Sequence, residues 1–190
     1  MSQMNGKQHI RARLGSRPLV LIGLMGAGKT TIGRRLAARL DLPFCDSDHA
    51  IEEAAGQSVA DIFASHGEAH FRSGERKVIA RLLGNGAQVL ATGGGAFLNR
   101  RTREQIELHG VSVWLKADFD TLMERVRRRS HRPLLQEADP EAVMKKLINE
   151  RYPVYQQADF TVESADVPHD VVVDRIIEKL AGMAPEHEIK

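Results

Sequence analysis

Cysteine is nearly absent from this chain. Cys45 is the single cysteine among 190 residues, so no disulfide can form within the chain. Because proteins without disulfides are typical of reducing compartments, we expect a cytoplasmic protein. Cys45 itself lies at the predicted end of a strand, where a small packed side chain is expected more often than a reactive thiol.

Long hydrophobic runs, aromatic residues and net charge are also scarce. No stretch approaches the roughly 20 apolar residues that a membrane span needs. The formal net charge is only +2, and aromatic residues make up 5% of the chain. None of them interrupts the basic cluster at residues 125–132, so no stacking platform for nucleic-acid bases is visible. We therefore expect no membrane partner and no nucleic-acid partner. No exposed apolar stripe demands a second subunit, so a monomer is expected.

Glycine, by contrast, is concentrated in the stretch GLMGAGKT at residues 23–30, which follows the pattern Gly-x-x-x-x-Gly-Lys-Thr. A short apolar run at residues 19–22 precedes this stretch, and apolar residues at helical spacing follow it. A loop between a strand and a helix can turn its backbone N–H groups toward phosphates. Lys29 would then reach the β- and γ-phosphates, and the Thr30 hydroxyl would bind Mg²⁺. The motif predicts a nucleotide phosphate site.

Strand-like runs recur along the chain, each separated from the next by at least one helical pattern. They lie at residues 19–22, 43–45, 88–91, 111–115 and 160–162. This alternation predicts an α/β fold with a mostly parallel sheet and helices on both faces.

Two segments do not fit a plain sheet layer. Residues 49–84 are too long for one crossover helix and are interrupted at Gly56 and Gly67, which predicts a helical excursion beside the phosphate site. We expect the substrate-binding region at about residues 46–84. A proline and polar residues interrupt two helical patterns at residues 130–139. A mobile lid is therefore expected over about residues 126–139.

The first 17 residues contain no acidic side chain but several basic ones, followed by an apolar run. The basic residues before an apolar run resemble a secretory signal, but cleavage after that run would destroy the phosphate motif. The lack of acidic residues also resembles a short transit peptide. We interpret residues 1–17 as a disordered extension, residues 18–182 as a single domain and residues 183–190 as a polar tail.

Two carboxylates end the second strand-like run, in FCDSD. Asp46 and Asp48 are two residues apart, so in an extended segment their side chains point the same way. The carboxyl ends of parallel strands form the ligand crevice of an open α/β sheet, which places both acids near the phosphates. One carboxylate could hold Mg²⁺ through water while the other accepts the proton of an attacking hydroxyl.

The third run ends in ATGGGA, residues 91–96. Three successive glycines at the carboxyl end of a strand permit a ligand to approach the backbone N–H groups closely. The acidic residue that motor and helicase ATPases usually carry at this place is missing, which disfavours a motor, a helicase or a transporter ATPase.

Three arginines are candidates for binding anions. Arg72 has Glu75 three residues further on, a spacing at which the carboxylate can orient the guanidinium. Arg151 lies near a helix end, and Arg132 in the predicted lid could close over a transferring phosphoryl group. A guanidinium fork is a natural partner of a carboxylate or a phosphate, although each arginine taken singly is more often a surface ion pair.

Together these motifs resemble the shikimate kinases. The likeness extends from about residue 19 to residue 181 and depends on an ordered set: GLMGAGKTTIGRRLA, FCDSD, HFRSGERKVI, ATGGGA, RVRRRSHRPLL and NERYPVY. It implies a three-layer P-loop kinase fold like that of the nucleoside monophosphate kinases, with a five-stranded parallel sheet flanked by helices. It also implies transfer of the γ-phosphoryl group of ATP to the 3-hydroxyl of shikimate, with one Mg²⁺ per subunit, in aromatic amino-acid biosynthesis.

The resemblance assigns roles to individual residues. ATP would be bound by Gly26, Ala27, Gly28, Lys29, Thr30, Thr31, Arg125 and Arg132. Thr30 would bind Mg²⁺ directly and Asp46 through water, and Arg125 would lie near the adenine.

Shikimate would be bound by Asp48, Arg72, Arg151 and the Gly94 backbone, with the two arginines holding its carboxylate. Lys29, Asp48 and Arg132 would be catalytic. Asp48 would contact the acceptor hydroxyl, either as its base or as a binding residue only.

Two alternatives stay open. Another small-molecule kinase on the same scaffold, such as a gluconate kinase or a nucleoside monophosphate kinase, is the nearer one. The combination of Asp48, Arg72, the three glycines and Arg151 favours a carboxylated polyol as acceptor. A nucleotide-dependent nucleic-acid-binding protein that uses the arginine run is the other, and it predicts salt-sensitive binding to DNA or RNA.

Overall fold

The structure of the protein is a computed structural model that describes residues 2–128 and 138–183. Its strands are β1 (Leu19–Ile22), β2 (Phe44–Asp46), β3 (Val89–Ala91), β4 (Val111–Lys116) and β5 (Phe160–Glu163). Its α-helices are α1 (Ser2–Leu14), α2 (Lys29–Leu40), α3 (Ser47–Ala55), α4 (Val59–Leu83), α5 (Arg100–His109), α6 (Phe119–Arg127), α7 (Pro140–Tyr155) and α8 (His169–Ala181). A short 3₁₀ helix, Ala96–Leu98, follows β3.

The five strands form one sheet in the order β2-β3-β1-β4-β5, and every neighbouring pair is parallel. The predicted α/β fold with a five-stranded parallel sheet is confirmed. All four residues of β1 are buried, as expected for a central strand covered on both faces. Because the strands are parallel, the segments that follow β1, β2 and β3 meet at one edge of the sheet.

The N-terminal segment is ordered, so the predicted disorder of residues 1–17 is wrong for residues 2–14. Helix α1 packs against α8 and α2, and Ile10 and Leu14 are buried in the core. These two residues are four apart and therefore share one face of the helix. Beside this pair on the helix, Lys7 and Arg11 lie 3.5 and 3.3 Å from Asp41 Oδ2. This helix was missed in the sequence analysis because basic residues surround the two apolar ones.

The helical excursion after β2 is present, and both predicted interruptions are confirmed. Helix α3 ends at Gly56, which has a φ of 64°. Helix α4 begins behind Ser58, whose Oγ accepts a hydrogen bond from the Asp61 N–H at 3.1 Å. At Gly67 the backbone leaves helical geometry, with φ 78° and ψ 172°, so α4 consists of two helical segments joined at a kink.

The predicted lid falls largely on residues 129–137, which lie outside the described residues. Before them α6 ends at Arg127, and after them α7 begins at Pro140 behind Asp139, whose Oδ1 accepts a hydrogen bond from the Ala142 N–H at 3.0 Å. Among the residues that the structure describes, no helix has the length and apolarity that would let it cross a membrane.

Candidate active site

The phosphate motif connects β1 to α2. Gly28 caps α2 in the left-handed conformation, with φ 93°, and the first turn of the helix is formed by Lys29, Thr30 and Thr31. In this described part of the chain, α2 has neither a side-chain cap nor an acidic residue in its first turn. The positive end of the helix dipole is therefore directed at the loop, where an anion would be stabilised.

Lys29 folds back over the loop that precedes it. Its Nζ donates hydrogen bonds to the carbonyl oxygens of Gly23 at 2.7 Å and Leu24 at 3.0 Å. Ala27 lies in the same loop and is buried. The ammonium group is thus held beside the backbone N–H groups expected to surround phosphate.

Thr30 and Asp46 meet where α2 begins and β2 ends. The Thr30 hydroxyl donates to Asp46 Oδ2 at 3.0 Å, while Asp46 Oδ1 accepts a hydrogen bond from the Asp48 N–H at 3.1 Å. A hydroxyl and a carboxylate side by side are the oxygen donors that Mg²⁺ prefers. Among the described residues there is no cluster of three His, Cys, Asp or Glu side chains that could hold a metal. Mg²⁺ needs none, because it is commonly bound by one or two protein oxygens, water and substrate phosphates.

The three glycines after β3 form the glycine segment, residues 93–95. An alanine Cβ at Gly93 would lie 2.7 Å from Asp48 Oδ1 and 3.0 Å from Glu75 Oε1. At Gly94 it would lie 3.0 Å from Arg151 Nη1. At Gly95 it would lie 2.5 Å from both terminal nitrogens of Arg72.

The absence of side chains from the glycine segment thus leaves room for four charged groups: Asp48, Glu75, Arg72 and Arg151. The sequence indicated close approach at these glycines, and the structure identifies side chains of the chain itself as the approaching groups. The four come from three different helices, α3, α4 and α7. The structure therefore brings all the side chains predicted to bind the acceptor to one short segment.

Arg72 is oriented by two glutamates on α4. Its Nη1 donates to Glu75 Oε2 at 2.8 Å, and its Nε and Nη2 each lie 3.3 Å from Glu68 Oε1. The expected pairing with Glu75 is present, whereas Glu68 was missed because an exposed glutamate at helical spacing has no distinguishing signal.

Glu75 is only 2% exposed. Burial raises the pKa of Glu75, and the hydrogen bond and charge of Arg72 oppose the rise. Within the described part of the chain, Glu75 Oε1 has no hydrogen-bond partner. Removing Arg72 would therefore leave a buried carboxylate without a hydrogen-bond partner among the described residues.

Asp48 is a partly buried carboxylate with a raised pKa. Burial and the nearby carboxylates of Asp46 and Glu75 raise its pKa to about 6, against the opposing charge of Lys29. A carboxylate whose pKa approaches the working pH accepts a proton more effectively than an ordinary aspartate.

Arg125 connects α6 to two loops. It donates to Ser164 Oγ at 3.0 Å and to the Ala165 carbonyl oxygen at 2.6 Å, with a longer contact of 3.4 Å to the Gly26 carbonyl oxygen. Ser164 Oγ in turn donates to the Ala27 carbonyl oxygen at 2.8 Å. The segment after β5 is thereby fixed beside the phosphate loop. Arg132, the predicted lid arginine, lies outside the described residues.

Comparisons with known proteins point to one family. The family model described as shikimate kinase matches residues 25–181. A curated relative named shikimate kinase, from Bradyrhizobium diazoefficiens, is 57% identical over 178 residues, which cover 94% of this chain and 86% of that protein.

Solved structures agree with this result. Shikimate kinase from Acinetobacter baumannii in complex with shikimate matches with a TM-score of 0.84 at 35% identity, over 95% of this chain and 98% of that one. A gluconokinase from Sinorhizobium meliloti 1021 matches with a TM-score of 0.59 at 17% identity, over 88% of this chain and 93% of that one. The second likeness shows a shared fold only. Because the family model covers most of the chain and the curated relative is identical at more than half of the aligned positions, the chain belongs to the shikimate kinase family.

Proposed function

We propose that this chain transfers the γ-phosphoryl group of ATP to the 3-hydroxyl of shikimate, and that the residues around the glycine segment bind the acceptor. The products are shikimate 3-phosphate and ADP, and the reaction belongs to the biosynthesis of aromatic amino acids. The family membership supports the activity, and the geometry of the glycine segment supports the residue roles.

One observation carries the assignment of the acceptor site. The position of a Cβ at Gly94 lies 3.0 Å from Arg151 Nη1 and 3.5 Å from the Gly23 carbonyl oxygen. The same Gly23 oxygen accepts a hydrogen bond from Lys29. The Arg151 guanidinium therefore lies next to the phosphate loop, which supports an acceptor bound beside the nucleotide.

Arg72 and Arg151 together form the carboxylate clamp of the proposal. They lie against neighbouring glycines, Gly95 and Gly94, and two guanidinium groups suit a carboxylate better than a hydroxyl. Shikimate offers one carboxylate and three hydroxyls, so the clamp fixes one end of the acceptor. The opposite end is then directed at Asp48 and the phosphate loop.

Asp48 is proposed to accept the proton of the 3-hydroxyl as that oxygen attacks the γ-phosphorus in line. Lys29 neutralises charge on the β- and γ-phosphates during the transfer. Asp46 joins the two halves of the site, since one oxygen faces Thr30 and the other holds the Asp48 backbone. This geometry fixes the proposed base relative to the phosphate side.

Mg²⁺ is the proposed cofactor, bound by Thr30 directly and by Asp46 through water; it would neutralise phosphate charge. Gly26, Ala27, Gly28 and Thr31 would provide backbone and side-chain contacts to the phosphates. Arg125 would lie beside the adenine and Arg132 beside the transferring group. A monomeric state, a cytoplasmic location and the lid stay predictions.

The carboxylate clamp can be tested with matched acceptors. ADP release would be measured with shikimate, with its methyl ester, which keeps every hydroxyl but loses the charge, and with gluconate. We expect efficient turnover with shikimate only, and a KM for the ester raised by about 10²-fold or more, since charged hydrogen bonds contribute about 1.5–3 kcal/mol each. Equal KM values for acid and ester would contradict the clamp, and preferred turnover of gluconate would contradict the acceptor assignment.

A further inference from the structure

We propose that Tyr155 is a positioning residue that holds the shikimate-binding surface of residues 94 and 151 in its working arrangement. The inference rests on the proposed roles of Arg151 and the Gly94 backbone and extends them to a residue without a role so far. Tyr155 is fully buried, so the side chain acts on shikimate only through these two neighbours.

The Tyr155 hydroxyl lies where the two parts of this surface meet. It donates a hydrogen bond to the Gly94 carbonyl oxygen. The position of a Cβ at Gly94 is 3.8 Å from the Tyr155 hydroxyl oxygen and 3.0 Å from Arg151 Nη1. Arg151 and Tyr155 are four residues apart on α7, so they occupy the same face of the helix. One buried hydroxyl thus faces both the arginine and the peptide group that are proposed to bind shikimate.

The hydrogen bond has a clear mechanical consequence. The Gly94 carbonyl and the Gly95 N–H belong to one planar peptide unit, so fixing the carbonyl also fixes the N–H. Glycine permits more orientations of this unit than any other residue, and the glycine segment has three in succession. A fixed donor at Tyr155 removes that freedom where the acceptor would bind.

The phenol stays a donor under working conditions. Burial raises the pKa of Tyr155, and the charges of Arg151 and Arg72 oppose the rise. A neutral hydroxyl can donate to the carbonyl and accept from a guanidinium at the same time. The neighbouring Arg151, Arg72 and Gly94 carbonyl are compatible with both roles.

The same helix offers a matched control. Tyr152 also packs on Trp114, with ring centroids 4.9 Å apart against 5.9 Å for Tyr155. The Tyr152 hydroxyl likewise donates to a backbone carbonyl, that of Ala117. Because Ala117 follows β4 and lies outside the glycine segment, loss of the Tyr152 hydroxyl removes a comparable hydrogen bond without touching the acceptor surface.

The test compares Tyr155→Phe with Tyr152→Phe. Shikimate Kd would be measured by calorimetry, KM and kcat by ADP release, and stability by urea unfolding. For Tyr155→Phe we expect a five- to tenfold rise in the Kd and KM of shikimate, the effect of about one hydrogen bond, with the KM for ATP within about twofold of wild type. Tyr152→Phe should reduce stability similarly but leave the shikimate constants unchanged. Equal shikimate constants in both variants would overturn the proposal.

The shikimate Kd of Arg151→Lys distinguishes failure of the Tyr155 positioning role from failure of the proposed shikimate site. A normal shikimate Kd in Arg151→Lys would reject the role of Arg151 itself. A weakened Kd there, together with a normal Kd in Tyr155→Phe, would reject only the positioning role. The double variant should lose less than the sum of the single losses, because Tyr155 acts partly through Arg151. If Tyr155→Phe is unstable at the assay temperature, Kd is measured at a lower temperature at which both tyrosine variants are folded.

Discussion

Gly95→Ala should disable shikimate binding by displacing Arg72. The new Cβ would lie 2.5 Å from both terminal nitrogens of Arg72 and 2.6 Å from its Cζ. Ordinary contacts between such atoms are about 3.5 Å or longer, so the guanidinium has to move by about 1 Å. Arg72 cannot move freely, because Glu75 holds it at 2.8 Å and Glu68 at 3.3 Å. The displacement therefore either breaks the ion pair between Arg72 and buried Glu75 or moves Arg72 out of alignment with Arg151 in the carboxylate clamp.

A misplacement of about 1 Å can lower catalysis by about 10²-fold, and we expect this loss in kcat/KM for shikimate. The KM for ATP should change by less than about twofold, since the three atoms nearest to the new Cβ all belong to Arg72. Initial rates would be measured with varied shikimate at saturating ATP, and urea unfolding would report any loss of stability.

Gly74→Ala is the matched control for this change. Gly74 lies on α4, two residues from Arg72, and a Cβ there meets no atom within 4 Å. Alanine in place of a helical glycine should stabilise the protein by up to about 1 kcal/mol and leave kcat/KM unchanged. If Gly95→Ala retained kcat/KM within about twofold of Gly74→Ala, Arg72 could not be the shikimate-binding group described above.

Three further substitutions test separate parts of the site. Lys29→Ala should abolish phosphoryl transfer because the phosphates lose their nearest cation, and near-normal turnover in an ADP-release assay would contradict the phosphate site. Asp48→Asn should leave ATP binding intact and reduce kcat by about 10²-fold or more, whereas a change in shikimate KM alone would make Asp48 a binding residue only. Glu75→Gln tests how the stability of the protein depends on pH through Glu75. Burial raises the pKa of Glu75 in the folded protein. The contribution of Glu75 to stability is therefore present below the ordinary glutamate pKa of about 4 and is lost as pH rises through the raised pKa. The stability of wild type relative to Glu75→Gln in urea unfolding should therefore fall over this interval, and a difference independent of pH would disagree.

Most of the fold could be predicted from sequence because its signals are local. A buried parallel strand is a short apolar run, and all five predicted runs became strands. The phosphate motif combines a strand, a glycine-rich loop and a helix within about 20 consecutive residues. The meeting of Thr30 and Asp46, 16 residues apart, follows from a general property of parallel sheets, whose carboxyl ends share one edge.

Other features depend on distant contacts that no local pattern records. The Tyr155 hydroxyl reaches a carbonyl 61 residues away, and Arg125 reaches Ser164, 39 residues away. Both side chains resemble ordinary helix residues in the sequence. Helix α1 was missed for a related reason. Of its described side chains, Ile10 and Leu14 are buried in the core, and these apolar residues lie among basic ones and pack against helices distant in the sequence.

Phosphoryl transfer to shikimate is tested most directly by measuring ADP release by the purified protein with ATP and Mg²⁺, with and without shikimate. The position of the phosphate would be determined by mass spectrometry and phosphorus NMR. We expect ADP release that requires shikimate and a product phosphorylated on the 3-oxygen. ADP release independent of shikimate, or phosphate on another oxygen, would contradict the placement of the acceptor between the carboxylate clamp and Asp48.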